Sequence, residues 1–150
     1  MKKNQLAIAL HQLLANTVSL SLKTQNYHWN VTGPHFMSYH KLFEEQYTEL
    51  AAATDEIAER IRALGERVPA SLALFASMDE LNKSDEHTHA QAMLSDLLMS
   101  HKHLITLIHK VQAMAAQDDV NDLVTDDLMM QRLAAHEKTC WMLLSASNER

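Results

Sequence analysis

Only two glycines and two prolines occur in the 150 residues, and all four fall in two places, Gly33-Pro34 and Gly65 to Pro69. Average usage would supply about 10 glycines and about 7 prolines in a chain of this length. Tight turns between short strands draw heavily on both residues, so a sheet-rich fold is excluded and long helices are predicted. The two breaks cut the chain into residues 1–32, 35–64 and 70–150. Within the last segment, Asn82-Lys83-Ser84-Asp85-Glu86-His87 and the acidic pair Asp118-Asp119 are the next interruptions. Thr88 with Gln91 reads as a capping box, and Asp119 with Asp122 as an N-cap followed by a first turn suited to the helix dipole. The prediction is four long helices, with a short helical piece around residues 70–77.

Apolar spacing agrees. In the second helix Phe36, Tyr39, Phe43, Tyr47, Leu50, Thr54, Ile57, Ile61 and Leu64 recur every three or four residues. The first repeats the pattern with Leu6, Leu10, Leu13 and Val18. The third does so with Leu94, Leu97, His101, Leu104, Ile108, Val111 and Ala115, and the fourth with Leu123, Met130, Ala134, Trp141 and Leu144. An all-α four-helix bundle forming a single domain over residues 1–150 follows. Most methionines and aromatics in these stripes are core, and His101 reads as a hydrogen-bonded core histidine. His103 and His109 read as exposed, and Glu86-x-x-His89 as a surface coincidence.

Several function classes drop out. The lone cysteine, Cys140, cannot form an intrachain disulfide and reads as a buried thiol, which suits a reducing, cytoplasmic setting. Met1-Lys2-Lys3 is followed by a stretch broken at His11, Gln12 and Asn16, unlike a signal peptide. No segment is apolar for long enough to span a membrane. A net charge of -6 argues against a DNA-coating surface.

A second stripe on helix two carries the chemistry. His40, Glu44, Asp55 and Glu59 lie about 100° around the helix from the apolar seam, so they flank the bundle. His40/Glu44 and Asp55/Glu59 are each i,i+4 pairs, close enough to share an ion. Glu44 and Asp55, about 16 Å apart along a helix, cannot share one within a chain. The stripe is palindromic about the point between Glu49 and Leu50, so antiparallel pairing of two copies would set His40 against Glu59 and Glu44 against Asp55. Thr48, Ala51 and Ala52 are small enough for close approach. His28, six residues before Pro34, sits at the height of His40, six residues after it. Two imidazoles and three carboxylates suit Fe(II), with Mn(II) or Zn(II) as competitors. The plainer alternative is a solvated face, salt-bridged to neighbours such as Arg60 and Arg62.

His28-Trp29-Asn30-Val31-x-Gly33, Phe36, His40, Glu44, Tyr47, Asp55, Ala58-Glu59-Arg60, and the ending His136-Glu137-Lys138 with Trp141-Met142 resemble the Dps miniferritins, the DNA-binding proteins from starved cells. The resemblance implies a hollow dodecamer of ferritin-like subunits with a short extra helix between helices two and three. It implies ferroxidase sites at two-fold interfaces, with His28, His40 and Glu44 from one subunit and Asp55 and Glu59 from another. It further implies Fe(II) oxidation preferentially by hydrogen peroxide, ferric mineral stored in the cavity, protection of DNA from oxidative damage, and Trp29 as an electron donor. Position 44, Asp in many members, is Glu here. Asp119, Asp122 and Asp126, read as sharing one helical face, would match an acidic iron-entry pore. The competing reading is a nucleoid-associated protein that binds DNA directly. Only Lys2 and Lys3 precede the first apolar residue, so direct DNA binding is expected to be weak or absent.

Overall fold

The protein is described by a computed structural model covering residues 2–81, 87 and 89–147. Among them, five helices and no strand form: α1 (Lys2–Asn30), α2 (Phe36–Ala63), α3 (Leu72–Met78), α4 (Ala90–Ala115) and α5 (Leu123–Ala146). Both predicted breaks are real. Gly33, at φ +115°, turns the chain from α1 into α2. Gly65, at φ +93°, ends α2: its N–H donates to the Arg62 carbonyl and the Glu66 N–H to that of Ile61, the paired bonds of a Schellman turn. Only a residue without Cβ adopts such φ values cheaply.

Side-chain bonds fix the directions. Ser21 Oγ meets the Tyr47 carbonyl at 3.4 Å, so α1 and α2 run antiparallel. Lys23 and Tyr27 both reach Asp96, setting α4 against α1. Arg60 meets Asp122 near the start of α5, and the Tyr39 hydroxyl meets the Ala146 carbonyl at its end. Helices α2 and α4 are therefore parallel, and the chain crosses the length of the bundle between them. α3 lies in that crossover, held to α1 by Gln12 and Asn16, whose side-chain amides both donate to the Met78 carbonyl. The Ser71 side chain caps it, accepting from the Leu74 N–H at 3.1 Å.

The core joins all four long helices: Leu6, Leu10 and Leu13 on α1, Phe43, Leu50 and Ile57 on α2, Leu97, Leu104 and Ile108 on α4, and Met129 and Leu143 on α5. Every residue of the seam expected on α4 is buried. On α2 the seam is Tyr39, Phe43, Gln46, Leu50, Ala53, Ile57 and Ile61, with Tyr47, Thr54 and Leu64 half-buried and Phe36 exposed at the rim. Helix α5 departs from expectation. Leu123, Met130, Ala134, Trp141 and Leu144 face outward, and Thr125, Met129, Arg132, His136 and Leu143 face in. Apolar counting chose the wrong face because the inward residues are largely polar and satisfied by other helices.

The caps differ too. α4 begins after His89, whose side chain makes no capping bond, and Thr88 lies outside the described residues, as does Glu86. Asp122, not Asp119, is the N-cap of α5, accepting from the Thr125 N–H at 3.1 Å. It also takes two bonds from the Arg60 guanidinium, at 2.9 and 2.8 Å. Burial pushes the Asp122 carboxyl up, but bonds from Thr125 and Arg60, with the Arg60 charge, outweigh it and hold the group below the usual carboxylate range. Asp119 lies in the preceding turn, so Asp119, Asp122 and Asp126 do not share a helical face as expected. Replacing Asp122 with alanine removes cap and ion pair together and is expected to cost about 2–3 kcal/mol in urea unfolding. Asp122→Asn, which keeps a capping oxygen, should recover about 1 kcal/mol of that.

Candidate metal centre

His28 stands in the last turn of α1 and His40 in the second turn of α2, on either side of the Gly33-Pro34 bend. The hairpin brings their rings face to face, with centroids 3.7 Å apart and planes inclined by 14°. His28 Nδ1 lies 2.7 Å from the His40 carbonyl oxygen, and His40 Nδ1 lies 2.7 Å from the His28 carbonyl oxygen. A carbonyl only accepts, so both Nδ1 atoms carry hydrogen and donate. With Nδ1 as the donor, Nε2 is the nitrogen left to offer a lone pair, the form in which imidazole binds a metal. The Tyr47 ring meets His28 edge-on at 5.1 Å, and Phe36 lies 5.0 Å from His40, fixing the rings from the sides. His28 is buried and His40 half-buried, while the adjacent Trp29 is 61% exposed.

Glu44, one turn beyond His40, is exposed, as are Asp55 and Glu59 farther along α2. The stripe flanks the bundle as its angular position requires. None of the three carboxylates forms an ion pair among the described residues. Arg60 is engaged by Asp122, and Arg62 donates to the Glu66 carbonyl, so the salt-bridged alternative has lost both named partners. Thr48, Ala51 and Ala52 are exposed on the same helix. Within one chain, the described residues bring no group of three or more His, Cys, Asp or Glu into metal-binding proximity. The structure thus unites the two histidines and leaves Asp55 and Glu59 apart from them.

Other titratable residues fall where a structural role explains them. His101 is a hydrogen-bonded core residue, with Nδ1 2.8 Å from His136 Nδ1. His103 is half-buried rather than fully exposed and bonds Glu80 at 2.8 Å, while His109 bonds Gln112 on the surface. Cys140 is half-buried rather than buried, and desolvation raises its thiol pKa. The sequence reading missed the inward set Gln46, Arg132 and His136, and the exposed Glu49 that Arg132 reaches. An i,i+3 pair on α2 and an i,i+4 pair on α5 were their only local trace.

No helix among the described residues is long and apolar enough to cross a membrane. The ferritin-like domain matches residues 8–149. The DNA protection during starvation protein 2 of Bacillus anthracis is 31% identical over 145 residues, covering 97% of this chain and 98% of that protein. The crystal structure of the Vibrio cholerae Dps protein, described as a member of a broad superfamily of ferritin-like diiron-carboxylate proteins, superposes with a TM-score of 0.91 at 30% identity. It covers 97% of this chain and 90% of that one. The Dps protein of Bacillus brevis gives a TM-score of 0.91 at 31% identity, over 97% and 96% of the two chains. The domain match over nearly the whole chain, the relative at 31% identity and the superposition on solved Dps structures agree, and the chain belongs to the ferritin-like family as one of its Dps proteins.

Proposed function

We infer that this protein is a ferroxidase and iron store that oxidises Fe(II) at sites completed by two copies of the chain. The observation that carries the reading is the reciprocal clamp of His28 and His40, which fixes both tautomers with Nε2 available to a metal. Glu44 adds a carboxylate beside them, and Asp55 and Glu59 of a second copy, packed antiparallel along α2, complete the set. Two imidazoles with carboxylates suit Fe(II), and Zn(II) or Mn(II) would compete for the same atoms. The small exposed side chains of Thr48, Ala51 and Ala52 allow the two α2 helices to approach closely. The palindromic stripe then yields two equivalent sites per pair.

The oxidant is hydrogen peroxide. Two Fe(II) ions each lose one electron, the O–O bond breaks, and with two protons the peroxide leaves as two waters, so no hydroxyl radical is released. Trp29, beside His28, can donate an electron when only one Fe(II) is bound. The ferric product is retained in the cavity of a dodecamer, and in the cytoplasm DNA is protected by removal of both Fenton reactants. The test adds Fe(II) anaerobically, then limiting peroxide, while ferric absorbance and a radical trap are followed. Consumption of about two Fe(II) per peroxide without trapped radical is expected. One Fe(II) per peroxide with radical, or a rate equal to that of buffer alone, would sink the proposal.

Direct coating of DNA is the second reading, one physical route to the DNA protection that the relatives are named for. The net charge of -6 opposes it. In a gel shift without Mg²⁺, no retarded band is expected at physiological salt. A band that weakens steeply as salt rises would show genuine phosphate contacts.

A further inference from the structure

The residues that α5 turns inward meet His101 midway along the bundle. Arg132 bonds Glu49 through two guanidinium nitrogens, and one of these lies 3.2 Å from His136 Nε2. A guanidinium only donates, so His136 Nε2 accepts and its hydrogen resides on Nδ1. His136 Nδ1–H therefore donates to His101 Nδ1 at 2.8 Å, which places the His101 hydrogen on Nε2. Burial keeps both rings neutral, His101 down at about 3 and His136 well below the ordinary histidine value, with the Arg132 charge acting in the same direction on each and the His101 charge also on His136.

This run of bonds ends without an acceptor. His101 Nε2, Arg132 Nε and both polar atoms of the Gln46 amide have no hydrogen-bond partner among the described residues. His101 is 2%, Arg132 5% and Gln46 7% exposed, so bulk water does not satisfy them. They share one level. Gln46 precedes Glu49 by one turn on α2, His136 follows Arg132 by one turn on the antiparallel α5, and Glu49 and Arg132 are bonded. Stepping from 49 to 46 and from 132 to 136 moves the same way along the axis, to the level of His101.

We propose that the middle of each bundle binds one buried water molecule, which accepts from His101 Nε2–H and donates to Gln46 Oε1. Buried polar groups in folded proteins are paired, and an enclosed water is the usual partner where side chains cannot meet. The available groups select against other occupants. A metal cation finds one neutral amide oxygen, a protonated Nε2 and a guanidinium. An anion would gain no net compensation, because Glu49 already neutralises Arg132. Iron centres inside ferritin-like bundles are built from inward carboxylates and Glu-x-x-His pairs. Here the interior presents an amide, two neutral imidazoles and a guanidinium whose charge Glu49 balances from the bundle surface, so its ligand is neutral.

The test is a crystal structure of the assembled wild-type protein at a resolution that shows ordered solvent, repeated after a bromide soak and with Gln46→Leu. The expected result is one solvent peak within hydrogen-bond distance of both His101 Nε2 and the Gln46 amide. It should show no bromide anomalous signal and should disappear in Gln46→Leu while iron oxidation persists. A bromide peak there would overturn the proposal in favour of an anion site, and a metal anomalous peak in favour of a cation site. A direct His101–Gln46 bond with nothing between them would also overturn it. The wild-type and bromide structures decide the matter even if Gln46→Leu fails to assemble.

Discussion

Protein carrying His40→Ala and Asp55→Ala together is expected to lose at least about 100-fold in the rate of peroxide-driven Fe(II) oxidation, since each site then lacks an imidazole and a carboxylate. Both residues leave the core untouched: His40 is half-buried and Asp55 exposed. Assembly and thermal stability should therefore be nearly unchanged, which separates lost ligation from lost fold. The stronger form of the test mixes the single variants. In a pair of one His40→Ala chain and one Asp55→Ala chain, two-fold geometry places both substitutions in one site and none in the other. Unfolding and co-assembling an equal mixture should restore about a quarter of the wild-type sites, because half the pairs are mixed and each recovers one site of two. A site within one chain would give no recovery at all. Equal oxidation by wild type and double variant would instead return the stripe to the role of a solvated face.

Acidification is expected to weaken the fold through the core histidines. His101 titrates at about 3 in the folded protein and at about 6.5 when unfolded, so it is neutral in the bundle and protonated in the unfolded chain over the interval between. Its folded pKa is depressed: stability is full above about pH 6.5 and is lost progressively as pH falls toward 3. At pH 4.5 the loss from His101 alone is about 2–3 kcal/mol. His136, held down by burial and by the charges on His101 and Arg132, acts in the same direction. The checking measurement is the urea midpoint at fixed protein concentration between pH 7.5 and 4.5, in wild type and in His101→Gln. The wild-type slope should approach two protons below pH 6, and the variant's should be smaller by about one. Equal slopes would mean that His101 is already protonated in the native core.

Both experiments probe residues that were differently visible beforehand. The hairpin at Gly33-Pro34 follows from local backbone chemistry, and the equal height of His28 and His40 follows from counting residues on antiparallel helices. The seams of α2 and α4 follow from apolar periodicity, because their inward faces are mostly hydrocarbon. Helix α5 resisted that reasoning. Its inward Thr125, Arg132 and His136 look like a solvent face until Arg60, Glu49 and His101 are brought to them from elsewhere in the chain. Asp122 likewise read as part of an acidic row until Arg60, 62 residues away in sequence, claimed it.

The sequence by itself therefore determined the helices, their breaks and the candidate ligands on α1 and α2, since these depend on backbone preference and periodicity within a single segment. Tertiary structure alone decided which face of α5 is buried, which nitrogen of His28 and His40 is left for a metal, and where Asp122 is anchored. A polar side chain tolerates burial only when a partner completes its hydrogen bonds, and those partners lie on other helices, beyond the reach of any local pattern.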